Sequence, residues 1–217
     1  MNDQTPEQRA ARVDAVLSRA PVIPILIIER LDDAVPLARA LVDAGLPVLE
    51  VTLRTDVALA AIRRIAQEVP GVCVGAGTVL DAAHLAAVES AGAAFAISPG
   101  ATEALYVAAA ASSLPWIPGI ATASELMRGL EHGYQRFKFF PAEAAGGVVA
   151  LRAFAGPFPQ VRFCPTGGID AEKAPGYLRQ SNVLTVGGSW MVPKAALQAR
   201  DWTAIGTLAR ACIALSL

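Results

Sequence analysis

The chain has 217 residues, 54% of them hydrophobic, and a formal net charge of −1. That length suits one large α/β domain or two small ones. Near-neutrality offers no electrostatic hold on nucleic acid or on an anionic membrane, so an anionic ligand has to be bound by local groups.

Residues 1–20 are charged and helical in pattern, with a helix expected over Pro6–Arg19. They lack the apolar core and small-residue cleavage site of a secretory signal. The first apolar run, Val22–Ile28, is expected to be a strand; Pro24 interrupts it, and it is far too short to cross a bilayer. Seven more strands are expected at Val48–Leu53, Val72–Ala76, Phe95–Ser98, Trp116–Pro118, Phe137–Phe139, Val161–Phe163 and Leu184–Val186. Helical patterns fall between most of them, at Asp32–Ala44, Asp56–Val69, Asp81–Ala91, Thr102–Ala111, Ser124–Glu131, Gly147–Phe154 and around Ala171–Arg179. A final helix is expected over Asp201–Leu217. Asp32, Asp56 and Asp81 suit N-cap positions, and Gly45 and Gly92 suit helix ends.

Eight alternating strand and helix units predict an α/β chain folded as a (β/α)8 TIM barrel, one compact domain over residues 1–217 with an extra N-terminal helix across its bottom. An open doubly wound sheet is the alternative, but the glycine fingerprint expected after its first strand is missing. Cys73, Cys164 and Cys212 are odd in number and form no C-x-x-C pair, so a reducing cytoplasm is expected. No cofactor and no metal is expected: the only histidines, His84 and His132, fall in helical segments away from other ligand types.

Only three lysines occur, against fifteen arginines, and one of them, Lys138, stands among phenylalanines in Arg136-Phe137-Lys138-Phe139-Phe140-Pro141. A strand-end lysine can simply snorkel to water. A desolvated amine, however, can attack a carbonyl and form a Schiff base, which a permanently charged guanidinium cannot do. Strand two places Glu50, Thr52 and Arg54 on one face by its period of two, and strand six does the same for Arg136, Lys138 and Phe140. An acid and an amine can thus both project inward. Glu50 could be a structural ion pair, with Arg54 or Arg136 as its partner. It could equally be the proton-transfer group that class I aldol chemistry requires.

Two glycine-rich turns follow the last two strands: Pro165-Thr166-Gly167-Gly168-Ile169 and Gly187-Gly188-Ser189-Trp190. Phosphate sites in this fold are commonly built from those two loops. Thr166, Gly167, Gly168, Gly188 and Ser189 are therefore the candidates for a phosphate. The turn Gly75-Ala76-Gly77-Thr78 adds Thr78, a hydroxyl for a carboxylate or a turn cap.

Taken in order, Leu49–Arg54, Gly75–Thr78, Ile97-Ser98-Pro99-Gly100, Phe137–Glu143, Cys164–Ile169 and Gly187–Trp190 resemble the 2-keto-3-deoxy-6-phosphogluconate (KDPG) and 4-hydroxy-2-oxoglutarate (KHG) aldolases over about Pro21 to Pro193. The resemblance implies a metal-independent class I aldolase of the Entner–Doudoroff pathway, cleaving KDPG to pyruvate and glyceraldehyde 3-phosphate, on a homotrimeric barrel. It implies Lys138 as the Schiff-base lysine and Glu50 as the acid/base. Arg54 and Thr78 would hold the pyruvate carboxylate, and Pro99 and Phe140 would line its pocket. Gly167, Gly168 and Ser189 would hold the phosphate. Close rivals keep the pyruvate half and change the aldehyde: KHG, or the galactonate epimer of KDPG. A phosphosugar-binding barrel without catalysis would need the glycine turns but neither Lys138 nor Glu50, and a metal-dependent aldolase would need a ligand cluster.

Overall fold

The computed structural model describes residues 4–215. Helix α1 (Pro6–Leu17) starts at Thr5, whose side chain accepts from Gln8 N–H while the Gln8 side chain accepts from Thr5 N–H. Strands and helices then alternate. The order is β1 (Val22–Leu26), α2 (Ala34–Asp43), β2 (Val48–Thr52), α3 (Ala58–Glu68), β3 (Cys73–Gly77), α4 (Ala82–Ser90), β4 (Ala96–Ile97) and α5 (Glu103–Ala111). The second half runs β5 (Trp116–Ile117), β6 (Gly119–Ile120), α6 (Ala123–Glu131), β7 (Arg136–Phe139), α7 (Gly147–Ala155), β8 (Arg162–Pro165), α8 (Ala174–Leu178) and β9 (Val186–Gly188). Helices α9 (Lys194–Ala199) and α10 (Trp202–Ile213) end the described chain.

The fold is α/β, with every paired strand parallel. One sheet has six strands in the order β5-β4-β3-β2-β1-β9, a half-barrel; the other has three in the order β6-β7-β8. Bridges Phe163↔Val183 and Thr166↔Gly187 reach from the β8 side to the β9 side. All five residues of β2 and of β3 are buried, the polar Glu50 and Thr52 of β2 included, as strands of a parallel sheet covered on both faces are.

Two apolar clusters result. The larger packs helices such as α2 and α3 on the outer strand faces. The smaller joins Ile23, Val48, Ile97 and Ile117 of the six-stranded sheet with Cys164 of β8, and α1 closes it with Val13, Val16 and Leu17. Asp14 of α1 fixes the helix to the start of β7 by pairing with Arg136, whose Nη2 is 2.7 Å from Asp14 Oδ2.

Several expected boundaries move. The fifth expected strand, Trp116–Pro118, stops at Ile117, and a further short strand, β6, follows Pro118, which lacks an N–H: β5 pairs with β4, and β6 pairs with β7. Gly187 and Gly188 belong to strand β9 rather than to the turn after it. A methyl on Gly187 would sit 2.3 Å from Thr166 Oγ1, so close packing against the neighbouring strand, not turn geometry, calls for glycine there. Asp81 caps α4 as expected by accepting from His84 N–H. Asp32 and Asp56 cap nothing: Leu31–Asp33 is a 3-10 turn, and α3 begins after Val57. The expected final helix is α10, capped by Asp201, and an unexpected short helix, α9, precedes it and ends at Arg200 in a left-handed conformation (φ 54°). Ser216 and Leu217, at the end of that expected helix, lie outside the described residues.

Candidate active site

Strand register sets the site. In β2, Glu50 is level with Ile25 of β1 and Gly75 of β3; in β7, Lys138 is level with Gly119 of β6 and Cys164 of β8. Both side chains are almost fully buried, Glu50 at 1% and Lys138 at 6% exposure. Lys138 Nζ donates to Glu50 Oε1 across 3.1 Å. The partner of Glu50 is therefore Lys138, and neither Arg54 nor Arg136. Arg136 is engaged by Asp14 at the start of β7, and Arg54 lies past the end of β2, exposed, with no ion pair among the described residues.

The other oxygen, Glu50 Oε2, is buried without a hydrogen-bond partner among the described residues. Buried carboxylate oxygens are rarely left so, because each costs its desolvation. Thr166 Oγ1, beside the Cys164 thiol, is buried without an oxygen or nitrogen partner. Glu50 Oε2 is thus a buried acceptor with capacity to spare, and the Thr166 hydroxyl can donate or accept, so each can receive a polar group. Cys164 itself is held as a thiol: burial, reinforced by the Glu50 charge, pushes it up to about 12. Lys138 Nζ also lies 5.4 Å from the Phe140 ring centre, within cation–π range.

The remaining candidates all fall at or just beyond the C-terminal ends of strands. Thr78 follows β3 and takes a left-handed conformation (φ 62°) uncommon for a threonine. Half-buried Pro99 follows β4, and half-buried Phe140 follows β7. Thr166, Gly167 and Gly168 follow β8, with φ of 107° and 78° at the two glycines. Gly188 ends β9, and exposed Ser189 follows it. Ser189 also lines a cavity of about 750 Å3 with Ile25, Arg30 and Lys194.

Residues outside the expected set also shape this site. Gly119 carries the neighbouring strand past Pro99, where a methyl would lie 2.3 Å from the Pro99 carbonyl carbon. Ser98 is buried and accepts from Trp116 Nε1 at 2.8 Å, fixing the chain just before Pro99. A glycine inside an apolar strand pattern was the available signal for the first. The Ser98–Trp116 pair joins two strands and leaves no mark in local sequence. Among the described residues, no three His, Cys, Asp or Glu side chains gather as a metal site.

The family model described as "Aldolase: KDPG and KHG aldolase" matches residues 13–208. The chain belongs to the KDPG and KHG aldolase family. It is thus an aldolase, a carbon–carbon lyase. The KHG/KDPG aldolase of Escherichia coli K12 is 56% identical over 200 residues, 92% of this chain and 94% of that protein. A KDPG aldolase of Legionella pneumophila, solved with pyruvate captured as a covalent carbinolamine, superposes with a TM-score of 0.91 at 50% identity, covering 92% of this chain and 97% of that one. The Zymomonas mobilis KDPG aldolase solved with 3-phosphoglycerate gives a TM-score of 0.90 at 50% identity, covering 94% and 96%.

Proposed function

We propose that this KDPG/KHG-family aldolase cleaves 2-keto-3-deoxy-6-phosphogluconate to pyruvate and glyceraldehyde 3-phosphate through a Schiff base on Lys138, as the Entner–Doudoroff pathway requires. The observation that carries the reading is the buried Lys138–Glu50 pair with one carboxylate oxygen unmet.

The pair explains how an amine becomes available inside the protein. Moving one proton from Nζ to Oε1 converts a buried ion pair into a neutral amine and a neutral acid, with no net charge change. The amine attacks the C2 ketone. Glu50 returns its proton to the carbinolamine hydroxyl, which leaves as water and gives the iminium. Glu50, again a carboxylate, takes the C4 hydroxyl proton as the C3–C4 bond breaks, and the bonding electrons flow into the iminium as an enamine. The aldehyde leaves, Glu50 protonates C3, and water releases pyruvate. The iminium is the electron sink.

Arg54 and Thr78 are assigned to the pyruvate carboxylate and Pro99 and Phe140 to the walls of its pocket. Thr166, Gly167, Gly168, Gly188 and Ser189 are assigned to the phosphate. The captured pyruvate of the Legionella relative and the phosphorylated acid of the Zymomonas relative support the two halves of that division.

The two sheets are read as one closed eight-stranded TIM barrel in a single domain. Trp116–Ile120 serves both sheets and breaks only at Pro118, and the bridges beside β8 and β9 span the other seam. The active protein is read as a homotrimer in the cytoplasm, the latter in keeping with three free, buried thiols. Among the described residues no helix is long and apolar enough to cross a membrane.

Comparison of kcat/KM for KDPG, its galactonate epimer and KHG tests the substrate assignment. KDPG should be preferred by at least tenfold. A clear preference for unphosphorylated KHG would make KHG the substrate and leave the Lys138 chemistry in place.

A further inference from the structure

The turn after β8 is fastened on one side only. Thr166 O accepts from Ala142 N–H at 2.8 Å, Gly167 O accepts from Glu143 N–H at 3.1 Å, and Gly168 O accepts from Lys173 Nζ at 3.0 Å. The Gly168 and Ile169 N–H groups, in contrast, have no hydrogen-bond partner among the described residues. A turn whose carbonyls are held back and whose N–H groups are free is arranged to receive an anion.

Glycine has no side chain to hold it, and both φ angles are positive, so the turn's shape must be imposed from outside. Lys173 supplies the last fastening. It is itself held: its Nζ lies 2.9 Å from Glu143 Oε2, and Tyr177 O–H donates to Glu143 Oε1. The Tyr177 hydroxyl and then Lys173 hold the Glu143 carboxyl below the usual carboxylate range. Glu143 packs against the turn as well: a methyl on Gly168 would sit 2.8 Å from its Cγ.

We infer that Lys173, braced by Glu143 and Tyr177, is a positioning residue that keeps the Gly167–Gly168 turn open to the substrate phosphate and so sets the preference for phosphorylated aldehydes. The inference rests on the KDPG reading above. None of these three side chains takes part in the pyruvate half of the reaction. They act on the phosphate end alone, through the Gly168 carbonyl.

The test is steady-state kinetics of Lys173→Met, Lys173→Arg and Tyr177→Phe beside the wild type, with borohydride trapping of pyruvate on Lys138 in each. Lys173→Met should raise KM for KDPG on the order of tenfold, the effect of losing a charge-assisted hydrogen bond. Its kcat, its pyruvate trapping and its KM for unphosphorylated KHG should stay within twofold of wild type. Lys173→Arg, which can still donate to both oxygens, should recover most of the loss, and Tyr177→Phe should give a smaller change of the same kind. An unchanged KM for KDPG, or a loss shared equally with KHG and pyruvate trapping, would overturn the inference while the wild type still cleaves KDPG. A wild type that cleaves no KDPG would remove the substrate reading and this inference together.

Discussion

Gly77 is the reason Glu50 can stand where it does: a methyl at position 77 would lie 2.0 Å from Glu50 Oε1 and 2.7 Å from its Cγ. The close contact is with the oxygen that accepts from Lys138, so the absence of a side chain on β3 makes room for the acid on β2.

Gly77→Ala should therefore act on catalysis through Glu50. Displacement of the carboxylate should lower kcat by about a hundredfold, the scale of a lost general acid/base, while the carboxylate pocket keeps its affinity for pyruvate. Single-turnover kinetics with KDPG, alongside pyruvate binding by titration, checks this split.

Removing one member of the buried pair should cost more than removing both. Lys138→Met strands a carboxylate with neither oxygen met, and breaking a buried pair in this way costs about 3–5 kcal/mol. Lys138→Met/Glu50→Leu should regain most of that stability with activity still absent. Urea unfolding of the two single variants and the double variant closes the cycle, and a double variant no more stable than the singles would contradict it.

Much of this arrangement was legible beforehand. A lone lysine among phenylalanines and a glutamate in an apolar strand marked the two members of the buried pair, and strand periodicity pointed both inward. The partner of Glu50 was not legible. Period-two alternation put Arg54 and Arg136 on the same strand faces, but β2 stops at Thr52, leaving Arg54 beyond it, and Asp14 engages Arg136 from a helix 122 residues earlier. Gly187 and Gly188 looked like turn residues because a glycine pair usually marks a turn. Gly187 is called for by packing across strands against Thr166, and Gly188 by the Trp190 ring two residues on, which folds back over it.

The Asp14–Arg136 pair should matter for stability and not for chemistry. Asp14→Asn should lower stability by about 1 kcal/mol, a partly exposed pair being worth little more, with kcat/KM unchanged. Chemical denaturation and the aldol assay on the same preparation check both halves.

Burial raises all three thiols, Cys164 to about 12 and Cys212 to about 11. The sign follows directly: the unfolded chain releases these protons at lower pH than the folded one, so stability is full below the unfolded value and is lost as pH rises above it. For Cys164 the window runs from about pH 9 to about 12. Melting temperature should fall through that range, and Cys164→Ala should show a shallower fall. Native protein at pH 8 should also leave Cys164 unlabelled by a thiol reagent until denatured.

The most direct test is borohydride reduction in the presence of pyruvate, followed by peptide mass mapping. A stable pyruvate adduct on Lys138, with Lys173 and Lys194 unmodified and the adduct abolished in Lys138→Met, is the predicted result. Folded protein with pyruvate in excess and no adduct on Lys138 would contradict the Schiff-base mechanism.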